Sequence, residues 1–296
     1  MPDPTPEPGA PREVTPALLR SWALPDAGSS KYGRGQVLIV GGAASTPGAV
    51  QLAGLAALRV GAGHLSLAVA SSAAVPLAVA TPEAGVYGLP QDDRGSVLGG
   101  DLDVIADDLG SADVVTIGVG LDEPEETALL IRTAIPLLGE ETWLVLDAFA
   151  LGVLPGLLDG DALDPVRGRL VLTPNGQEAA QLLGREVGDE DADIAEIARR
   201  YGALVTCYST VADSEGRIWK VSAGNGGLAT SGSGDVLVGA VSGLLGRTGR
   251  ADQATCWGTY VHAAAGDRLA ARIGTVGFLA RELLGELPVV MSELGA

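Results

Sequence analysis

The chain has 296 residues, enough for one large α/β domain or two small ones and for a sizeable buried core. Its 19 Lys+Arg stand against 37 Asp+Glu, a formal charge of -18, which repels phosphate polymers and anionic lipid at long range and sets aside nucleic acid and membrane surfaces as partners. Two cysteines and two histidines are too few for a disulfide framework or a structural metal cluster, so an intracellular, cytoplasmic protein is expected.

Residues 1–16 carry Pro2, Pro4, Pro6, Pro8, Pro11 and Pro16 with neither a basic n-region nor an apolar core. That composition reads as a Pro-rich tail, disordered or extended, and not as a signal peptide or anchor. Residues 17–296 read as a single domain. GQVLIVGG, Gly35 to Gly42, is a short apolar run closed by glycines, a buried strand. TPGAVQLAGLAALRVGAG follows, with Leu52, Leu55 and Leu58 at helical spacing, Pro47 near its start and Gly61 at its end. HLSLAVASSAAVPLAVA, His64 to Ala80, is the most lipid-like stretch, but its serines and proline make it strand, turn and helix start instead of a span.

The strand–helix pattern recurs in ADVVTIGVG before PEETALLIRTAIPLL, in TWLVLDAFAL and in RLVLTPNGQEAAQLLG. ALVTCYSTVA is a further strand with RIWKV as its hairpin partner, and three helices fill Ser233 to Leu287. Continuous apolar strands alternating with helices predict an α/β fold with a mostly parallel central sheet and helices on both faces. Ligands of such sheets sit beyond the carboxyl ends of the strands. Here those ends carry small or acidic residues: Gly41, Gly42, Gly118, Gly120, Asp147, and Thr173 to Asn175.

Two familiar phosphate motifs are missing from the sequence: there is no G-x-x-x-x-G-K-[ST], and GVGLDE at Gly118 lacks the third glycine of a dinucleotide fingerprint. Lysine occurs only as Lys31 and Lys220, so a phosphate site has to rest on backbone N–H groups, Arg or a metal. GNGGLATSGSGD, Gly224 to Asp235, supplies such a site: Gly232, Ser233 and Gly234 place N–H groups at a helix start, where the dipole favours an anion. Asp235 then has two readings, an N-cap or a base that takes the proton of a hydroxyl attacking phosphate. In TPNGQE, Asn175 followed three residues later by Glu178 is a capping box, and Glu178 can also hold hydrated Mg2+ beside a phosphate chain. Asp147 is a strand-end acid or a turn former. His64 and His262 read as structural, Cys207 and Cys256 as buried small hydrophobes.

Together these motifs resemble the ADP- or ATP-dependent NAD(P)H-hydrate dehydratase family, a branch of the ribokinase-like superfamily. The resemblance runs from about Gly33 to Leu287 and rests on YGRGQVLIVGG, TPGAVQLAGLAALRVGAG, IGVGLD, LVLDAFAL, LTPNGQEAAQLLG, GNGGLATSGSGDVLVGAVSGLL and YVHAAAGD, in the family's order. It implies a ribokinase-like fold and a hydro-lyase that repairs hydrated NADH or NADPH (NADHX, NADPHX). The terminal phosphate of the co-substrate, ADP or ATP, goes onto the ring hydroxyl and then leaves as phosphate, yielding NAD(P)H with AMP or ADP. Asp235 matches the catalytic acid/base; Ala49, Gly120 and Asn175, with Asp235, fall at the hydrated cofactor. Gly232, Ser233, Gly234, Thr206 and Thr210 fall along the nucleotide. Mg2+ held through water at Glu178, homo-oligomeric assembly with a tetramer as one form, and an epimerase on a separate chain complete the expectation.

Three features depart from the family pattern: Asn175 stands where His is usual, the strand-end pair of aspartates is here Asp147 and Phe149, and TCYST, Thr206 to Thr210, replaces a Lys-Gly segment that lines the nucleotide site. The alternatives are a small-alcohol kinase built on the same geometry and a non-catalytic nucleotide-binding relative.

Overall fold

The structure, a computed structural model, describes residues 4–26, 32–158 and 161–296. Its strands are β1 (Arg12–Val14), β2 (Gln36–Val40), β3 (His64–Ala70), β4 (Gly85–Leu89), β5 (Val114–Ile117), β6 (Trp143–Leu146), β7 (Leu170–Leu172), β8 (Leu204–Cys207), β9 (Thr210–Ala212) and β10 (Ile218–Val221). The α-helices are α1 (Pro16–Ser21), α2 (Pro47–Arg59), α3 (Ser71–Ala80), α4 (Ala106–Ser111), α5 (Pro124–Ala134), α6 (Phe149–Leu158), α7 (Gly176–Leu183), α8 (Glu190–Tyr201), α9 (Ser233–Thr248), α10 (Ala251–Ile273) and α11 (Ala280–Leu294).

The strands form one ten-stranded sheet in the order β1-β10-β9-β8-β7-β6-β5-β2-β3-β4, in which only β9 runs against its neighbours. Alternate side chains enter opposite layers, as the two-residue strand period requires. Val37 and Ile39 of β2 join a core made with α1, α2, α9, α10 and α11, whereas Leu38 and Val40 join one made with α4 to α8. The predicted mostly parallel sheet with helices on both faces is therefore the observed architecture.

Close helix contact positions the site. Side chains at Gly239 and Gly243 of α9 would overlap the Ala53 and Ala57 carbonyls of α2, so glycine there lets the two helices pack backbone to backbone. A buried hydrogen bond ties α9 to β5: Ser242 Oγ donates to Val238 O at 2.7 Å, leaving Thr116 Oγ1 to donate to Ser242 Oγ at 2.7 Å.

Two expectations change. The stretch read as a tail, residues 1–16, carries β1, which pairs in parallel with β10 from Arg12↔Trp219 to Val14↔Val221. Ahead of it, the Trp219 indole donates to Pro4 O at 3.1 Å and Gly9 N–H to Gly216 O at 3.2 Å. Residue 16 is thus no boundary of the sheet-bearing unit; three residues between prolines are too few to show a strand period. Second, ALVTCYSTVA is two strands. Cys207 pairs with Thr210 across a turn at Tyr208–Ser209, where Tyr208 takes φ 50. With Ser209 as its only common turn residue and no Gly, Asn or Pro beside it, that turn is weakly marked in the sequence.

The strand, turn and helix start expected at His64–Ala80 is a strand that passes directly into α3, which holds Pro76 in its interior. No helix among the described residues is long and apolar enough to cross a membrane.

Candidate active site

The glycine-rich run ends in the N-terminus of α9, and no side chain caps it: the N-cap is Gly232 at φ 88, a conformation that favours glycine. Ser233 N–H donates to Thr230 O at 3.1 Å and Val236 N–H to Gly232 O at 3.2 Å. Between them, the N–H groups of Gly234 and Asp235 belong to the first turn, which has no intrahelical acceptors. Gly234 is informative in another way. A Cβ there would meet nothing within 4 Å, and its φ lies outside the left-handed range, so neither packing nor backbone geometry asks for glycine.

Asp235 is the third residue of α9, not its cap. Burial pushes its carboxyl up to about 6, so it ionises near neutrality and holds a received proton better than an exposed Asp. Behind it lies the buried Asp147, raised well above the ordinary carboxylate range by burial, against a hydrogen bond from Thr173. Thr173 Oγ1 donates to Asp147 Oδ1 at 2.6 Å, and the charges of Glu178 and Asp235 add to the upward shift. The end of β6 and the starts of α7 and α9 thus bring three carboxylates into electrostatic range.

Asn175 and Glu178 form the expected capping box on α7. Asn175 Oδ1 accepts from Gln177 N–H at 2.9 Å and Glu178 N–H at 3.0 Å, and Glu178 Oε2 accepts from Asn175 N–H at 2.8 Å. Burial raises the Glu178 carboxyl, partly opposed by that backbone bond. Between the start of α2 and the loop after β5, Ala49 and Gly120 come together, forming a further wall. A Cβ on Gly120, at φ 67, would lie 3.1 Å from Ala49 Cβ and 2.6 Å from Thr46 O. Thr46 Oγ1 donates to Gly120 O at 2.7 Å instead of capping α2. Gly232 adjoins this wall, since a Cβ there would lie 2.8 Å from Leu52 Cδ1.

Three of the expected nucleotide contacts have their side chains turned elsewhere. Thr206 Oγ1 is 2.9 Å from Thr259 Oγ1 of α10. Thr210 Oγ1 donates to the carboxylates of α8, with Glu190 Oε1 at 2.6 Å and Asp191 Oδ1 at 2.8 Å, and Lys220 Nζ at 2.8 Å joins it. Opposite residues of an antiparallel pair share a face, and Thr206 pairs with Val211 while Thr210 pairs with Cys207; the two hydroxyls therefore lie on opposite sides of the sheet and are both buried. Ser233 is the third: its Oγ is 3.0 Å from His262 Nε2. The buried His262 is pushed down to about 4 by burial, so it is a neutral packing partner, in keeping with its structural reading.

Asp267 closes the YVHAAAGD stretch of α10. It accepts from Gly224 N–H at 2.9 Å and Asn225 Nδ2 at 2.8 Å and so pins the loop that leads into α9. Only its place in a long helix facing a glycine loop could have signalled this.

A family model described as NAD(P)H-hydrate dehydratase matches residues 37–289. The chain is 42% identical over 290 residues to the ADP-dependent (S)-NAD(P)H-hydrate dehydratase of Xanthomonas campestris, covering 96% of this chain and 97% of that protein. It is 36% identical over 292 residues to the bifunctional NAD(P)H-hydrate repair enzyme Nnr of Moorella thermoacetica, covering 96% of this chain and 54% of that protein. It thus spans about half the length of the bifunctional relative. Among solved structures, a ribokinase-like superfamily protein from Enterococcus faecalis superposes with TM-score 0.81 at 23% identity, covering 96% of each chain. The ADP/ATP-dependent NAD(P)H-hydrate dehydratase of Bacillus subtilis, co-crystallised with ATP/Mg2+, superposes with TM-score 0.76 at 24% identity, covering 97% and 99%.

Proposed function

The chain belongs to the NAD(P)H-hydrate dehydratase family, and we propose that it restores NADH or NADPH from their hydrates, consuming the terminal phosphate of ADP or ATP. The observation that carries the reading is the uncapped start of α9, with a half-buried carboxylate, Asp235, in its first turn.

In this reading the Gly234 and Asp235 N–H groups hold the phosphoryl group being transferred, and the helix dipole favours its charge. The ring hydroxyl of the hydrate attacks phosphorus: its oxygen gains the P–O bond, the bond to the departing AMP or ADP breaks, and its proton passes to Asp235. The ring C–O bond then breaks with its electron pair on the departing phosphate, the neighbouring ring carbon gives a proton to solvent, and the C–H electron pair becomes the restored C=C bond. Phosphate leaves where hydroxide would not, which is the chemical purpose of the first step. Ala49, Gly120 and Asn175 flank the ring.

Mg2+ fits as a water-held ion. Among the described residues no group of three or more His, Cys, Asp or Glu side chains is placed to cage a metal, while Glu178 uses Oε2 for the capping box and has Oε1 for a hydrated ion. Bound there, Mg2+ would offset the charge of the phosphate chain. Cytoplasmic location, homo-oligomeric assembly and an epimerase on a separate chain belong to the same proposal.

Mixing the protein with NADHX, Mg2+ and ADP or ATP should restore the near-ultraviolet absorbance of NADH, with one nucleotide converted per NADH. ADP is the first nucleotide to try, because the Xanthomonas relative is named for it. Folded protein that restores no NADH with either nucleotide sinks the reading; a small alcohol converted to a stable phosphate ester would favour the kinase.

A further inference from the structure

A cavity of about 520 Å³ lies between α6 and α7, bordered by Leu121, Phe149, Val153, Asn175, Glu178 and Gln181, within the size range of small-molecule sites. It continues the site above, since Leu121 follows Gly120 and both Asn175 and Glu178 stand on its wall. Phe149 is half-buried at the start of α6 and is reached through Ala148 at φ 51, a left-handed conformation unfavourable for alanine. The wall also bears the amides of Asn175, Gln177 and Gln181, one carboxylate, Glu178, and neither Lys nor Arg. An aromatic face with amide groups around it suits an uncharged planar heterocycle with hydrogen-bonding edges. The same wall has no cationic side chain to neutralise a phosphate.

We propose that this cavity takes the adenosine half of the hydrated dinucleotide, with adenine stacked on Phe149, and that it therefore accepts NADHX in preference to NADPHX. The proposal rests on the dehydratase reading. With the reacting ring at Asp235 and the chain passing Asn175, the adenosine ribose enters a wall where, before Mg2+ and the co-substrate bind, the extra 2′-phosphate of NADPHX meets the Glu178 carboxylate and neither Lys nor Arg.

The test is direct binding to the folded full chain, without nucleotide co-substrate, using unhydrated NADH and NADPH as probes. Titration followed by the fluorescence of the reduced ring is expected to show NADH bound at least about ten-fold more tightly than NADPH. Saturation-transfer NMR is expected to cover the adenine protons. Phe149→Ala and the volume-keeping Phe149→Leu should both weaken NADH by roughly five- to fifty-fold, Phe149→Trp should retain it, and Gln181→Arg should narrow the gap between the two dinucleotides. Thermal melts keep unfolding apart from lost binding, and Phe149→Leu serves if Phe149→Ala fails to fold. Equal affinities, uncovered adenine protons, indifference to Phe149→Leu, or no binding of either dinucleotide each overturn the proposal. Failure of the wild-type chain to dehydrate NADHX overturns the dehydratase reading and is read in a separate assay. Normal turnover with the KM for NADHX unmoved by Phe149→Leu overturns the cavity assignment alone.

Discussion

Two helices begin at the site, and they treat their first turns in opposite ways. The start of α7 satisfies its own donors through the Asn175–Glu178 box. The start of α9 has a glycine cap, no side-chain bond and a carboxylate in its first turn. The first arrangement stabilises the fold; the second gives up the ~1 kcal/mol that a capping side chain contributes and places a partly desolvated acid beside open N–H groups. An N-terminus left unsatisfied by its own chain is where an outside anion is of use.

The sharpest way to break this contrast is at Asp235. Asp235→Asn is expected to lower kcat by about 10²- to 10⁴-fold in the hydrate-repair assay. The folded carboxyl is raised to about 6 from the ordinary 3.8, so its protonated form favours folding at low pH and that contribution is lost as pH rises through about 6. At pH 8 the variant should therefore melt higher than wild type, by an amount on the order of 1 kcal/mol. A variant that lost turnover and stability together would make Asp235 a structural residue. The wild-type kcat/KM should fall toward acid through about pH 6, and Asp235→Asn should flatten that limb.

Gly234→Ala comes next. With open space at Cβ, it should leave the melting temperature unchanged or raise stability by about 0.5–1 kcal/mol. The KM for nucleotide should rise about ten-fold or more, because the methyl occupies the space of the phosphate. Asn175→Ala should behave in the opposite way where stability is concerned, losing about 1 kcal/mol, a fall in melting temperature of about 2–4 °C. If the two substitutions gave the same pattern, the two helix starts would not differ in kind. The smallest effect is expected from Thr206→Val: with its hydroxyl turned to Thr259, the KM for nucleotide should stay within about two-fold.

What could be read from the sequence follows from the range over which each signal acts. Leu52, Leu55 and Leu58 marked α2, and Asn175 with Glu178 marked the start of α7, because both patterns depend on neighbours within a turn of helix. Gly232 to Asp235 were legible as a helix start because a run of glycines followed by an acid and an apolar stretch is itself a local signal. The directions of Thr206, Thr210 and Ser233 were not legible. Each is decided by a partner far along the chain, Thr259, Glu190 and His262 respectively, and by a turn at Tyr208 that carries no glycine. Asp147 was visible as a strand-end acid, but its burial behind Asp235 depends on how three strand and helix ends converge.

The pairing of Arg12–Val14 with β10 also bears on aggregation. Without that short strand, β10 would be the exposed margin of the sheet, offering unpaired N–H and C=O groups beside Trp219 and Val221, both buried in the present structure. Sheet margins of that kind recruit other chains. Glu13 accepts from Ser222 Oγ and Trp219 donates to Pro4 O, so the proline-rich segment acts as a selvedge, a finished border that keeps one molecule's sheet from continuing into the next. Trimming the protein at residue 16 would remove that border while leaving every residue of the catalytic proposal in place, and the resulting chain should self-associate before it loses activity.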